Sequence, residues 1–137
     1  MFRILVADDY PVVRTGLKGI IGQQNWTVCA EAADGIEAVS KTLEQRPDLV
    51  ILDISMPLLS GIGAASKIKQ AMPRTKILIL SMHDTSTMSN VLLSAGVDAW
   101  LSKATSNEEL VQTVAKLLKD REGKAGKDAC GPVSTPL

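Results

Sequence analysis

Asp8, Asp9, Asp53, Ser81 and Lys103 each follow a short apolar run at its C-terminal end. Phe2 to Ala7 leads into Asp8 and Asp9, and Leu49 to Leu52 into Asp53. Ile77 to Leu80 leads into Ser81, and Val97 to Leu101 into Ser102 and Lys103. If these runs are parallel strands of one sheet, their carboxyl ends open on one edge, where open α/β sheets place their ligands. Three carboxylates, a hydroxyl and an ammonium then meet in one crevice. Carboxylates so placed repel one another unless a cation lies among them. Mg2+ suits such a site, because it takes oxygen ligands and commonly combines one or two carboxylates with a phosphate. The chemistry implied is phosphoryl transfer, in which an ionised Asp attacks phosphorus and becomes an aspartyl phosphate. A metal and an ammonium facing the transferring oxygens supply most of what that reaction requires. Asp53 ends the central run and precedes the loop Ile54-Ser55-Met56-Pro57, which makes it the natural nucleophile. Ser81 would donate a hydrogen bond to the new phosphate, and Lys103 would pair with it.

The elements that must hold these residues alternate between two periods. Ile4-Leu5-Val6, Leu49 to Leu52 and Ile77 to Leu80 are continuous apolar runs, expected of strands buried on both faces of a parallel sheet. Thr27 to Ala32 and Val97 to Leu101 are weaker candidates for two further strands. Helical spacing predicts helices over 11–24, 35–45, 62–72, 86–95 and 107–121. The first carries Val13, Leu17, Ile20 and Ile21 on one stripe behind Pro11, and the last carries Leu110, Val114, Leu117 and Leu118. Asp34 with Glu37, and Ser106 with Glu109, have capping-box spacing. Five repetitions of strand then helix predict an α/β fold, a doubly wound five-stranded parallel sheet with helices on both faces.

The bulk numbers agree. A chain of 137 residues, 45% apolar and 22% charged, fits one soluble domain. Fifteen basic residues balance fifteen acidic ones, which argues against a broad nucleic-acid footprint. The cluster Lys67, Lys69, Arg74 and Lys76 is read as a solvated face. Cys29 and Cys130 are too few for a disulfide framework, and Cys29 is read as a small core residue of a strand. The chain enters a strand directly and holds no apolar run of membrane-spanning length, so the cytoplasm is the expected location. Residues 1–122 are expected to form the domain, and 123–137 a flexible tail or truncated linker.

Together these motifs resemble the response-regulator receiver domain of bacterial two-component signalling, over roughly residues 2–121. The resemblance rests on the acidic pair Asp8-Asp9, the acceptor segment Leu52-Asp53-Ile54-Ser55-Met56-Pro57, Ser81 and Lys103. The segments Glu31-Ala32-Ala33-Asp34-Gly35 and Leu80-Ser81-Met82-His83-Asp84 further resemble receivers that carry a LuxR-type helix-turn-helix output domain. The resemblance implies a flavodoxin-like (βα)5 fold with strand order 2-1-3-4-5. It implies that Asp53 takes a phosphoryl group from a sensor histidine kinase. Asp9 would bind Mg2+ directly, Asp8 partly through water, and the Ser55 carbonyl would complete the protein ligands beside Asp53. The Ser55 side chain would then influence how fast the phosphate is hydrolysed. Ser81 and Trp100 would form the switch: the hydroxyl moves toward the phosphate and the ring rotates into the vacated space. His83 is open to two readings, tuning water access to the aspartyl phosphate or packing in a loop. Ala104 follows Lys103 where many receivers have proline, Trp100 replaces a more usual Tyr or Phe, and Ser60 replaces a commonly acidic residue.

The expected function is therefore that of a regulatory protein, catalysing only its own phosphoryl transfer and dephosphorylation. The 86–121 face would meet a partner or a second copy. DNA would be reached only through an output domain, since nothing after residue 121 reads as a helix-turn-helix. A single-domain or pseudo-receiver interaction module is the alternative. A flavodoxin-like carrier would need a Gly-, Ser- or Thr-rich phosphate cradle where Asp8-Asp9-Tyr10-Pro11 stands. A Mg2+-dependent hydrolase would carry a second Asp two positions after the nucleophile, where this chain has Ser55.

Overall fold

The computed structural model describes residues 1–82 and 85–125. Strands β1 (Phe2–Ala7), β2 (Trp26–Ala32), β3 (Leu49–Asp53), β4 (Lys76–Ser81) and β5 (Ala99–Ser102) alternate with helices α1 (Pro11–Gly22), α2 (Gly35–Gln45), α3 (Gly61–Ala71), α4 (Ser89–Ser94) and α5 (Asn107–Ala125). The strands form one parallel sheet in the order β2-β1-β3-β4-β5, as expected. The chain starts in the middle and reverses direction once, so the crevice at the β1/β3 carboxyl ends is the topological switch point.

The continuous apolar runs are two-sided for a physical reason. Leu49 and Ile51 pack with α1 and α5, whereas Val50 and Leu52 pack with α2, α3 and α4. The same alternation divides Ile4 and Val6 from Leu5 and Ala7, and Leu78 and Leu80 from Ile77 and Ile79. Each fully buried Ile or Leu contributes roughly 1.5–3 kcal/mol over an exposed one, so the two-sided runs Ile4 to Ala7, Leu49 to Leu52 and Ile77 to Leu80 hold no polar residue. The polar residues begin where the helices stop covering the sheet.

Helix caps follow the sequence in part. Asp34 accepts from the Glu37 amide at 2.7 Å, while the Glu37 carboxylate reaches back to the Ala33 amide. Ser106 accepts from the Glu109 amide at 3.1 Å, but the Glu109 carboxylate takes the Thr105 hydroxyl instead of closing the box on Ser106. α4 is shorter than the expected 86–95. It starts at Ser89, because Thr85 to Met88 close a turn in which the Met88 amide bonds to the Thr85 carbonyl, and the hydroxyls of this stretch favour such turns over helix. β5 starts at Ala99 rather than Val97, since the Val97 amide still closes α4 on the Leu92 carbonyl around Gly96, whose φ is +87°. α5 runs to Ala125, beyond the expected 121. Residues 126–137 of the expected tail, and His83, lie outside the described residues.

Two readings of side chains change. Lys69 and Lys76 do not form a solvated basic face: both reach Asp98, at 2.8 and 3.7 Å, and Lys76 is buried. Cys29 is half-buried on an edge strand, at the point where the β1–β2 register slips between Ile4 and Leu5. Among the described residues no helix is long and apolar enough to cross a membrane.

Candidate functional site

Asp8, Asp9, Asp53, Ser81 and Lys103 converge at the carboxyl edge of the sheet. Asp8 follows β1, Asp53 ends β3, Ser81 ends β4, and Lys103 follows β5. The ladders fix this geometry: Ala7 lies opposite Leu52, Asp53 opposite Leu80, and Ser81 opposite Ser102. Asp8, Asp53 and Ser81 are all at most 5% exposed. One carboxylate oxygen from each of Asp8, Asp9 and Asp53 lies within 4.8 Å of the others.

Backbone hydrogen bonds tie the cluster to its surroundings. The Asp8 amide extends the β1–β2 ladder to the Ala32 carbonyl at 3.0 Å, and one Asp8 oxygen accepts from the Tyr10 amide at 2.9 Å. The Lys103 amide donates to the Ser81 carbonyl at 2.8 Å, tying the two strand ends together. After Asp53 the chain reverses through Leu58, whose φ is +70°, and the Gly61 amide returns to the Ile54 carbonyl at 2.8 Å. Gly61 sits so close beneath Asp53 that a Cβ there would lie 2.0 Å from the Asp53 carbonyl oxygen.

Lys103 is the cation of the site. Its Nζ lies 2.6 Å from Asp8 Oδ2 and 3.3 Å from Asp53 Oδ1. Burial alone would lower its pKa, but the bonds and fields of Asp8 and Asp53 outweigh this and hold it above the ordinary lysine value. Asp53 moves the other way from most paired carboxylates. Burial pushes its pKa up, Lys103 pulls it down, and the charges of Asp8 and Asp9 add to the rise, so the net is upward. One ammonium does not neutralise three carboxylates.

The donor set fits a hard divalent cation. All three side-chain groups are oxygen donors, and Asp9 Oδ1 is buried without a hydrogen-bond partner. A buried carboxylate oxygen left unpaired is costly, and a cation would satisfy it.

The remaining expected residues lie nearby. Ser55 is exposed in the bend two residues after Asp53. Trp100 is half-buried, pairs with Ile79 in the ladder, and packs against the core on the α3–α4 side. Strand alternation puts Ile79 and Ser81 on one face, so the indole lies one pleat behind the Ser81 hydroxyl. A cleft of about 300 Å3 lies beside the cluster, between α1 and the β5–α5 connection, with Val13, Ile20, Met82, Thr105 and Lys103 in its wall.

One contributor escaped the sequence reading. Arg14, in the first turns of α1, donates from Nη1 to the Asp8 carbonyl at 2.7 Å and from Nε to Glu31 at 3.1 Å. A signal was present: a cation near a helix N-terminus opposes the helix dipole, so a specific partner is to be expected for it.

The matching family model is that of the response regulator receiver domain, over residues 4–115. The chain is a response-regulator receiver domain. It is 46% identical over 114 residues to the oxygen regulatory protein NreC of Staphylococcus epidermidis, an alignment covering 82% of this chain and 52% of that one. The receiver therefore spans about half the length of the curated relatives it matches. A LuxR-family DNA-binding response regulator from Staphylococcus aureus superposes with a TM-score of 0.81 at 26% identity, covering 86% of this chain and 99% of that one. A crystallised complex of CheX, CheY, BeF3 and Mg2+ from Borrelia burgdorferi gives a TM-score of 0.81 at 26% identity, covering 85% and 88%. A receiver domain of this family serves phosphorylation-activated two-component signalling, which agrees with the function expected from the sequence.

Proposed function

We propose that Asp53 is the phosphoacceptor of this receiver, taking its phosphoryl group from the phosphohistidine of a sensor kinase. The observation that carries this reading is the cluster itself: three carboxylate oxygens within 4.8 Å, one of them buried and unpartnered, with Lys103 bridging two of the residues. In the reaction an Asp53 oxygen forms a bond to phosphorus as the bond from phosphorus to the donor nitrogen breaks, and the nitrogen keeps the electron pair. Asp53 must be ionised to attack, and Lys103 beside it favours that form. The hydroxyl of Ser81 would donate to an oxygen of the phosphoryl group once it is on Asp53, and Lys103 would pair with another. Asp8, Asp9, Asp53 and the Ser55 carbonyl would hold Mg2+, which when bound neutralises charge between the carboxylates and the phosphoryl oxygens. The Mg2+ in the CheY complex supports this assignment.

The switch in this reading joins Ser81 to Trp100. Replacing Trp100 with Ala is expected to leave the rate of phosphorylation by acetyl phosphate within about threefold of wild type, because the ring packs against the aliphatic core, while uncoupling phosphorylation from any change in oligomeric state. Light scattering with and without phosphodonor checks this, and unchanged phosphorylation-dependent association would remove Trp100 from the switch. The 86–121 face, with Val91 and Leu93 exposed on α4, is the proposed contact surface for a second copy.

Lys103→Met is expected to destabilise the metal-free protein by roughly 3 kcal/mol at neutral pH, since it leaves buried carboxylates without their cation. The loss should shrink as acid protonates the carboxylates, or as Mg2+ is added. Urea unfolding across pH, with and without Mg2+, measures both trends.

Residues 1–122 are proposed as the receiver unit and 123–137 as the connection to an output domain, by analogy with relatives about twice as long. The whole protein would then be a cytoplasmic regulator of transcription that contacts DNA through that domain and catalyses only its own phosphorylation and dephosphorylation. Incubation with acetyl phosphate and Mg2+, followed by mass analysis of borohydride-trapped peptides, tests the central reading. A label anywhere other than Asp53, or none, would refute it and favour a pseudo-receiver.

A further inference from the structure

We propose that Arg14 is a positioning residue for the metal-binding turn, holding the Asp8–Asp9 peptide plane so that Asp9 points its unpartnered oxygen into the cluster. This inference rests on the reading of that cluster as the Mg2+ site.

Asp8 and Asp9 follow the last residue of β1, so the sheet ladder fixes Asp8 only through its amide, which bonds to the Ala32 carbonyl at 3.0 Å. The Asp8 carbonyl belongs to the next peptide unit, the one that carries the Asp9 amide. That carbonyl accepts from Arg14 Nη1 at 2.7 Å. Rotation of this unit would turn the Asp9 side chain away from Asp8 and Asp53. A hydrogen bond from a guanidinium to its oxygen opposes that rotation.

The guanidinium is itself held. Its Nε donates to Glu31 Oε1 at 3.1 Å, and Lys18 takes the other Glu31 oxygen at 2.7 Å. Glu31 stands in β2 next to Ala32, the residue whose carbonyl receives the Asp8 amide. Arg14 therefore links α1, the edge strand and the peptide between the two acidic residues, with a side chain only 17% exposed. Two donors in a fixed fork are required, one for each partner. Lysine has the charge, but its donors radiate from one freely rotating nitrogen and do not present the planar fork that meets the Asp8 carbonyl and Glu31 here.

That difference separates positioning from charge. The test is Mg2+ affinity of the full chain by titration calorimetry, with Arg14→Lys, Glu31→Ala, their combination, and Lys69→Gln as a control. Lys69 loses a comparable ion pair, with Asp98, away from the site. Arg14→Lys is expected to weaken Mg2+ binding about 10-fold, the usual size for a group that orients a metal ligand. Glu31→Ala should weaken it in the same direction, and adding it to Arg14→Lys should change little, because both act through one clamp. Lys69→Gln should bind as wild type does. An Arg14→Lys affinity within about twofold of wild type would overturn the proposal, even if its melting temperature fell, because the role would then be structural only. Absence of Mg2+ binding by the wild type would instead overturn the reading of the cluster itself, and this inference with it.

Discussion

Asp53→Asn is expected to abolish phosphorylation by acetyl phosphate and, in metal-free buffer, to raise the melting temperature. The first effect follows from chemistry: an amide has no ionised oxygen to attack phosphorus. The second follows from the field at the site. Asp53 is buried beside Asp8 and Asp9, and only Lys103 opposes them, so its carboxyl is held above the ordinary carboxylate range. A raised acid pKa means that the fold disfavours the ionised form. The penalty grows as pH rises from the unfolded value through the folded one, and is fully present above the folded value. Asn keeps the shape and removes the charge, so the variant should melt at a higher temperature than the wild type at neutral pH. Below the ordinary carboxylate pKa both proteins are neutral at this position, so their melting temperatures should converge. A pH series of thermal melts in EDTA decides it; a lower melting temperature for Asp53→Asn at neutral pH would show that the carboxylate is already balanced.

Gly61→Ala is expected to damage both the fold and the site. A Cβ there would lie 2.0 Å from the Asp53 carbonyl oxygen and 2.9 Å from the Asp53 carbonyl carbon. Both atoms belong to the backbone of β3, which is bonded on either side to β1 and β4. Neither can yield cheaply, so α3 must move away from the strand end, breaking the bond from the Gly61 amide to the Ile54 carbonyl. Overpacking of this kind costs about 3 kcal/mol. Because the strain falls on Asp53, the proposed acceptor, the phosphorylation rate should drop on the order of 100-fold, the usual result of misplacing a reacting group by about an ångström. Urea unfolding and the acetyl phosphate reaction measure the two losses separately. Wild-type stability together with a wild-type rate would mean that the loop can open without moving Asp53.

The order of elements and the positions of Asp8, Asp9, Asp53, Ser81 and Lys103 were legible because each is a local signal. A run such as Leu49 to Leu52 is apolar without alternation only if both of its faces are covered, and a charge can follow it only where that cover ends. Boundaries failed where tertiary bonds compete with local preference. Ser86 and Thr87 read as helix by spacing but lie in a turn before α4, and Val97 reads as strand but spends its amide on closing the preceding helix. Lys69 and Lys76 read as solvent-facing because their partner, Asp98, is distant in sequence.

The sequence by itself determined which groups meet at the sheet edge and what chemistry they suit, because residue type and strand position decide both. Tertiary structure alone decided how they are arranged: that Lys103 bridges Asp8 and Asp53, that Gly61 lies against the Asp53 carbonyl, and that Arg14 donates to the Asp8 carbonyl. Each of these contacts joins separate elements. Periodicity and caps report only on neighbours along the chain, whereas the distance between two side chains on different elements is set by how the helices and strands pack.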